Sequence, residues 1–523
     1  VSKFGDAWQV LTGKKRATEP RKPGRRAYEG AAPGRLAGWN LPNTDPNAEL
    51  SGGLEALRKA SRDLDRNNPW GRRIIDAWVN ALVADGIRPT IVLHTGKLDA
   101  NGKPIRDREA ESKVYDLWER WGRSPVAGSS MDIYGYQRAL ARSMLLDGDG
   151  LTRFRPRFPA DMPGLPPLKL QLLESDLLPV SLTQTVGNSL NRIYCGIEYD
   201  AIGEKVAYHL YSEHPGALLV GGNANPYETT RTLANEILHV FETLRPNQVR
   251  GIPLMSPVIL ALWDLHGYTD NIRVNARAAA AMVATVDGGD PDEIPALSNG
   301  GTDEDAEYTG ATYANGDPVE SLESGTVIYA PDGRTITVHQ PNAPQGVDVF
   351  LQASLREIAS GVGLSYNVLS GDMGDSSFAQ AKLGLIEQSR RITSTRRTVF
   401  VPMALDPIWR RFIDAAITAR LLPNRSDLYR VRWSDPRQQA ADRKDEAEAA
   451  RLEVRCGFRS LDEVVESDYG RDPDEVRAER AAALEADKAA GVVSDTSPDQ
   501  TTQSGQLQGS ANGTTPAQLM TGG

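Results

Sequence analysis

The chain has 523 residues, of which 40% are hydrophobic, 24% charged and only 7% aromatic, with a formal net charge of −10. That length exceeds one core, so two or more packing units are expected, and the scarcity of large anchoring side chains leaves subunit contacts to complete the burial. The acidic balance argues against a tight nucleic-acid reader but suits a protein that lets DNA slide past, while the two distant cysteines, Cys195 and Cys456, exclude a disulfide framework or clustered zinc ligands and fit a reducing compartment.

Residues 1–50 are rich in Lys, Arg, Gly, Pro and Asn and read as an arm that orders only against a partner surface. Their basic start lacks the apolar core of a signal peptide, and no stretch reaches bilayer-spanning length, so neither secretion nor membrane insertion is expected. From Ser51 a helix runs to about Asp65, breaks at Asn67-Asn68-Pro69, resumes through Val83 and stops at Gly86, before a strand at Pro89–Leu93. ESKVYDLWERWGRS sets Val114, Leu117 and Trp121 on one helical face, and YGYQRALARSMLLDGDG makes a helix ending at Gly148 and Gly150. LTRFRPRF, LKLQLLES, RIYCGIEYD and KVAYHLYSEH then read as strands, giving a mixed α/β unit over 51–256.

Pro257–Val286 predicts one helix of roughly 45 Å at 1.5 Å per residue, with Ser256 as N-cap and Pro257 in the first turn. It carries the run Ala278, Ala279, Ala280 and Ala281, strong helix formers that bury little. Residues 287–345 form a small β-containing insertion with a hairpin turn at Asp332-Gly333. A helix over 346–363, a polar Gly/Ser stretch over 364–381 and a long helix kinked by Pro402 within 382–433 follow. Two charged helices are expected in 434–490 and a disordered Ser/Thr/Gly/Gln tail over 491–523.

Chemical motifs are scarce. Gly96–Pro104, GKLDANGKP, has the wrong glycine spacing for a phosphate loop and a proline where magnesium needs Ser or Thr, so a polar hairpin is expected. Asp147 and Asp149 could open a calcium loop, but Phe158 occupies the place of its bidentate glutamate, which leaves turn formation. There is no HxH, HExxH or GxSxG, and no catalytic residue, metal or cofactor is expected. Arg153, Arg155 and Arg157 alternate along a strand; nucleic-acid contact is one reading, and a solvated edge strand guarded against aggregation is the preferred one. Arg273 and Arg277 are an i, i+4 pair with Asn275 beside them, facing either a channel or solvent.

RNNPWGRRIIDAWVNALVADGIRP, YGYQRALARSMLLDGDGLTRF, LQLLESDLL, GIEYDAIGEKVAYHLY, ILHVFETLRPNQVRGIPLMSPVILAL and LREIASGVGLSYNVLSGDMGDSSFAQAKLGLIEQSRR follow one another over residues 50–430. In that order they resemble the lambda-like portal proteins of tailed phages. The resemblance implies an α+β multidomain portal fold: an α/β wing at 51–256, stem helices at 257–286 and 346–363, a clip at 287–345, a tunnel loop at 364–381, a kinked wing helix at 382–433 and a helical crown at 434–490. It implies a twelve-membered ring at one capsid vertex, which nucleates capsid assembly and through which terminase drives DNA inward and DNA later leaves. Its implied partners are further copies of itself, double-stranded DNA without sequence readout, the terminase large subunit, the major capsid protein and scaffold, and the head-tail adaptor, with no membrane. The protein would sit in the virion, after assembly in the host cytoplasm.

On that mapping Arg273, Asn275 and Arg277 are channel candidates, and Ser370, Asp372, Met373, Asp375, Ser376 and Ser377 belong to the tunnel loop. Ala278–Ala281 would let neighbouring stems approach closely, since helices meet at short distance only through small facing residues; a plain core helix on a sheet is the alternative for that run. The competing classes are a packaging-associated nuclease or NTPase, disfavoured by the missing phosphate loop, and a capsid or scaffold subunit.

Overall fold

A computed structural model describes residues 43–217, 227–280, 283–287, 335–339, 346–372, 378–436 and 443–490, apart from positions 101, 103, 188, 470 and 472. The first helix, α1 (Pro46–Asn67), starts five residues before Ser51 because Asp45 caps it, accepting from the amides of Asn47 and Ala48, and Pro46 supplies a preset first turn. Residues 46–50 therefore belong to the folded body rather than to the arm. Asn68 ends α1 and caps α2 (Pro69–Leu82), accepting from Trp70 and Gly71, so the expected break is a pair of abutting helices.

Strand β1 (Pro89–Ile91) pairs with a strand more than three hundred residues later, and β2 (His94–Leu98) with β3 (Pro104–Arg106) forms the expected polar hairpin. Helix α3 (Arg108–Gly122) buries Val114, Leu117, Trp118 and Trp121, and α4 (Ile133–Asp147) ends at Gly148 in the left-handed region. Strands β4 (Gly150–Pro156) and β5 (Leu168–Leu173) come next, then β6 (Gln184–Thr185), β7 (Arg192–Tyr194), β8 (Ile197–Tyr199), β9 (Lys205–Tyr211), β10 (Thr229–Leu233) and β11 (Ile237–Val240). They make two antiparallel sheets, β11-β4-β5 and β10-β9-β8-β7-β6. RIYCGIEYD, expected as one strand, is a hairpin: Cys195 and Gly196 both take positive φ and fold β7 onto β8 with Tyr194 opposite Ile197.

β4 is the centre of its sheet, not an edge, so the preferred reading of Arg153, Arg155 and Arg157 as an edge guard is wrong; Arg157 also lies past the strand end. Edge or centre depends on which strands return to pair, here the distant β11.

A 3-10 turn at Ser256–Val258 leads into α5 (Ile259–Ala280), and Ser256 Oγ donates back to the Pro253 carbonyl instead of capping the helix. The predicted helix to Val286 is too long. Val283–Asp287 is a strand, β12, antiparallel to β13 (Thr335–His339); both segments are rich in β-branched residues, and Thr285 and Val286 stand in register with Thr337 and Ile336. The ladder thus begins four residues inside the expected stem. The Asp332-Gly333 turn and the rest of 288–334 lie outside the described residues.

Helix α6 (Val347–Val362) matches expectation, but the stretch expected as loop over 364–381 contains a short helix, α7 (Tyr366–Ser370), and the start of α8 (Phe378–Thr395). The long helix then widens into a π-helical stretch at Arg396–Leu405 around Pro402, closed by an i to i−5 bond from the Asp406 amide to the Val401 carbonyl, before α9 (Asp406–Thr418). Proline has no amide to give and its ring crowds the preceding turn; a widened turn accommodates both. β14 (Val431–Trp433) pairs with β1. Three helices rather than two close the described chain, α10 (Arg443–Cys456), α11 (Leu461–Tyr469) and α12 (Pro473–Ala490).

Two cores result. The larger joins α2, α3, α4, the feet of α5 and α6, and α9; at its centre Trp118 meets Trp121, Trp409 and Phe412 with ring centroids 5.0–5.2 Å apart. The smaller lies between the two sheets and the start of α1, around Leu54, Leu151, Ile197 and Tyr208.

Candidate functional site

The long helix α5 divides in two. Its first half buries Leu262 and Leu265 in the larger core, whereas from Asp270 to Arg277 every residue except Ile272 is exposed. Helix α6 runs back beside it: Val258 abuts Gly361 at the foot, and Tyr268 meets Phe350 higher up, ring centroids 4.6 Å apart. Reversed contact order makes the pair antiparallel, and the β12–β13 ladder follows from their upper ends. The foot is tied to the helical body by Asn68 Nδ2 donating to the Leu262 carbonyl at 3.3 Å and Trp78 Nε1 to the Val362 carbonyl at 3.0 Å.

Arg273, Asn275 and Arg277 lie on the exposed half of α5, and neither arginine has an ion pair among the described residues. Ala278, Ala279 and Ala280 form its last turn; Ala281 lies outside the described residues. Ser370 ends α7, its Oγ accepting from the Asp372 amide at 3.1 Å across Gly371, which takes φ +73°. Met373, Asp375, Ser376 and Ser377 lie outside the described residues. Below Asp372 a cleft of about 290 Å³ opens between α6, α7 and α8, with Arg356 stacked over the Tyr366 ring at 5.3 Å. The structure places the stem and loop candidates on two separate elements, α5 and the end of α7, each packed against α6.

Sequence reasoning missed a buried charge cluster. Asp149, read as a turn residue, is fully buried and accepts from Arg58 (2.5 Å) and Arg250 (2.8 Å) on Oδ2, and from His239 (3.0 Å) and the Gly251 amide (2.7 Å) on Oδ1. The two arginines also donate to the carbonyls of Asp147, Leu178 and Cys195, so the cluster joins α1, β11, the turn between β7 and β8 and the segment entering α5 around the residue just before β4. Beside it Arg62 grips Asp147 bidentately at 2.7 and 2.9 Å and also Asp176. The sequence held one signal: Leu50, Leu54, Arg58, Ser61 and Leu64 share the buried stripe of α1, so an arginine stands where an apolar residue belongs.

Burial by itself would raise the Asp149 carboxyl, but Arg250, His239 and Arg58 outweigh it and hold the group ionised, far below the usual carboxylate range. Burial pushes His239 down to about 4, against the pull of Asp149. The neutral ring with hydrogen on Nε2 fits both partners, since Nε2 faces the Asp149 carboxylate and Nδ1 is left to accept from Tyr208. Because the unfolded histidine titrates near 6.5, the unfolded chain binds the proton first, and stability falls as pH drops from 6.5 towards 4. That window corresponds to about 3 kcal/mol. Urea unfolding at pH 7 and pH 4.5 checks it: His239→Gln should flatten the loss, and an unchanged pH profile in that variant would contradict the assignment.

Glu174, Asp176 and His214 bring ligand-type atoms within 4.8 Å of one another. The Arg62 guanidinium already supplies Asp176 with positive charge, and His214 Nε2 sits 3.1 Å from Glu174. Among the described residues no helix is long and apolar enough to cross a membrane.

The chain is a mixed helix-and-sheet body held by a buried charge cluster, with a pair of antiparallel stem helices whose outer half is uncovered. The chain belongs to the lambda family of phage portal proteins, whose pattern residues 32–396 match. The portal protein of Escherichia phage N15 is 21% identical over 496 residues, covering 88% of this chain and 89% of that protein. Among solved structures, the neck of an empty gene transfer agent particle computed with C6 symmetry is similar at 17% identity and TM-score 0.42, over 79% of this chain and 92% of that one. The neck of the native particle computed with C12 symmetry aligns at 16% identity and TM-score 0.40, over 77% and 91%.

Proposed function

We propose that the chain closes into a twelve-membered ring at one capsid vertex, with DNA passing along its axis during packaging by terminase and again during ejection. The observation that supports this best is the uncovered outer half of the stem pair. Val274 on α5 and Val349 and Phe350 on α6 are 52%, 72% and 48% exposed in the single chain. A projecting helix of about ten residues is marginal in water without packing, so the pair calls for neighbouring copies. Packing side by side around an axis is a heterologous contact, which closes into a ring when the rotation fits.

In this arrangement Arg273 and Arg277 offer phosphate contacts without base readout, and Ser370 and Asp372 open the tunnel loop. The ladder at β12–β13 begins the clip, the docking site for terminase and then for the head-tail adaptor. The major capsid protein and scaffold would meet the outer body.

Electron microscopy of the purified full chain tests the reading. Rings with a central hole are expected; shells, filaments or robust nucleotide hydrolysis without terminase would overturn it. Ala279→Leu with Ala280→Leu should abolish rings yet leave the chain folded, because overpacking acts where stems meet. Size-exclusion chromatography with light scattering reads this directly, and unchanged rings would remove those alanines from the contact.

A further inference from the structure

The arginines of β4 have a setting that the conduit does not use. Residues opposite one another across a strand pair share a face, so Arg153 stands with Gln171 and Arg155 with Lys169, on the face whose inner end, Leu151 and Leu173, belongs to the smaller core. Two cations directly opposite each other destabilise a sheet. Their close partners are mostly neutral: Arg155 Nε donates to Gln171 Oε1 at 2.7 Å, and Lys169 Nζ to the carbonyl and hydroxyl of Ser124. Of these and the exposed Arg157, only Arg153 has an ion pair among the described residues, with Glu236 at 3.0 Å. Burial together with Arg153 and Arg157 holds the Arg155 guanidinium below its ordinary value, and burial with Arg157 does the same to Lys169.

Around the β11 edge the cationic surface continues. Two clefts of about 290 and 470 Å³ share Phe154, Asn235 and Arg411, and so form one groove between the three-stranded sheet and α9. It is lined by Arg153, Arg155, Lys205, Arg410 and Arg411 against two carboxylates, Glu236 and Asp414. Arg411 lies over the Phe154 ring, 5.5 Å from its centroid, and donates to the Asn235 carbonyl, which fixes its fork at the groove wall.

We propose that this groove binds the phosphates of duplex DNA, without sequence readout, as a contact separate from the stem. Guanidinium forks match phosphate oxygens bidentately, and alternate residues on a strand repeat at about 7 Å, the scale of the spacing between neighbouring phosphates. A central strand holds that spacing rigidly. Single strands bind through exposed aromatic platforms; here Phe154 and Tyr208 are buried, which favours the duplex. The crowded cations, which destabilise the free sheet, are relieved when phosphate enters.

The test uses the full-length protein and a 30-base-pair duplex of arbitrary sequence, with affinity measured by fluorescence anisotropy over a range of KCl. Arg155→Gln with Arg410→Glu, both lining the groove, should weaken binding by about tenfold and make the log–log salt dependence shallower by about two, one for each cation removed from a phosphate. Arg410→Glu alone, at an exposed position of the groove that leaves folding intact, should reduce the slope by about one. Arg273 and Arg277 are untouched in both variants, so a stem contribution cancels in the comparison. Unchanged affinity and slope in both variants would overturn the proposal. It would equally fall if the variants lost binding to polyglutamate while duplex binding stayed the same, since the groove would then belong to an acidic polypeptide.

Discussion

Asp149→Ala should lower the unfolding free energy by about 3–5 kcal/mol, the cost of stripping one partner from a buried ionic group. Arg58 and Arg250 are 1% and 0% exposed, so neither guanidinium can turn to water when the carboxylate goes. Their remaining acceptors are carbonyls, which carry no charge to neutralise them. His239 Nε2 and the Gly251 amide lose their acceptor in the same change. Asp149→Asn keeps the shape and part of the hydrogen bonding, and should fall between the wild type and alanine. Denaturant titration of the three chains at pH 7 checks the order, and a loss below about 1 kcal/mol for alanine would show that the cluster is not the bolt described.

Gly361→Leu should prevent ring formation and packaging while leaving the melting of the body nearly unchanged. A Cβ at Gly361 would lie 2.5 Å from Val258 Cγ1, closer than side chains approach, so the foot of α6 must move away from the entry to α5. Overpacking of this kind costs about 1–3 kcal/mol locally, which a body of this size withstands. The angle between the stem helices is then wrong for the neighbouring copies, and a closed ring multiplies the error at every contact. Native mass spectrometry reads the assembly and calorimetry the body; normal rings from this variant would mean the stem pair does not set the subunit contact.

The two predictions touch regions that differed in how far the sequence disclosed them. The Asn68-Pro69 joint and the disturbed helix around Pro402 follow from capping and proline geometry, interactions between residues a few positions apart, whereas Ser256, expected to cap the stem helix, donates to Pro253 instead. The same local rules overran at Val283, where β-branched residues found a strand partner some fifty residues later, and at Cys195-Gly196, where a turn hid inside an apparently continuous strand. Of the candidate residues, Arg273 and Arg277 were legible as an i, i+4 pair on one helical face, and that part of α5 is exposed. The Asp149 cluster was not, because its members lie at positions 58, 149, 239 and 250, and only the buried stripe of α1 betrayed one of them.

Sequence alone determined most of the helices and strands in their order along the chain, and the family to which that order belongs, since helix and strand periodicity and end-capping are short-range effects. Only the tertiary structure decided that β4 is a central strand, that Asp149 ties α1, β11 and the segment entering α5 together and that α5 is uncovered from Asp270 to Arg277 except at Ile272. Those facts depend on which distant segments meet, and pairing between segments far apart is selected by the packing of the whole chain rather than by any window within it.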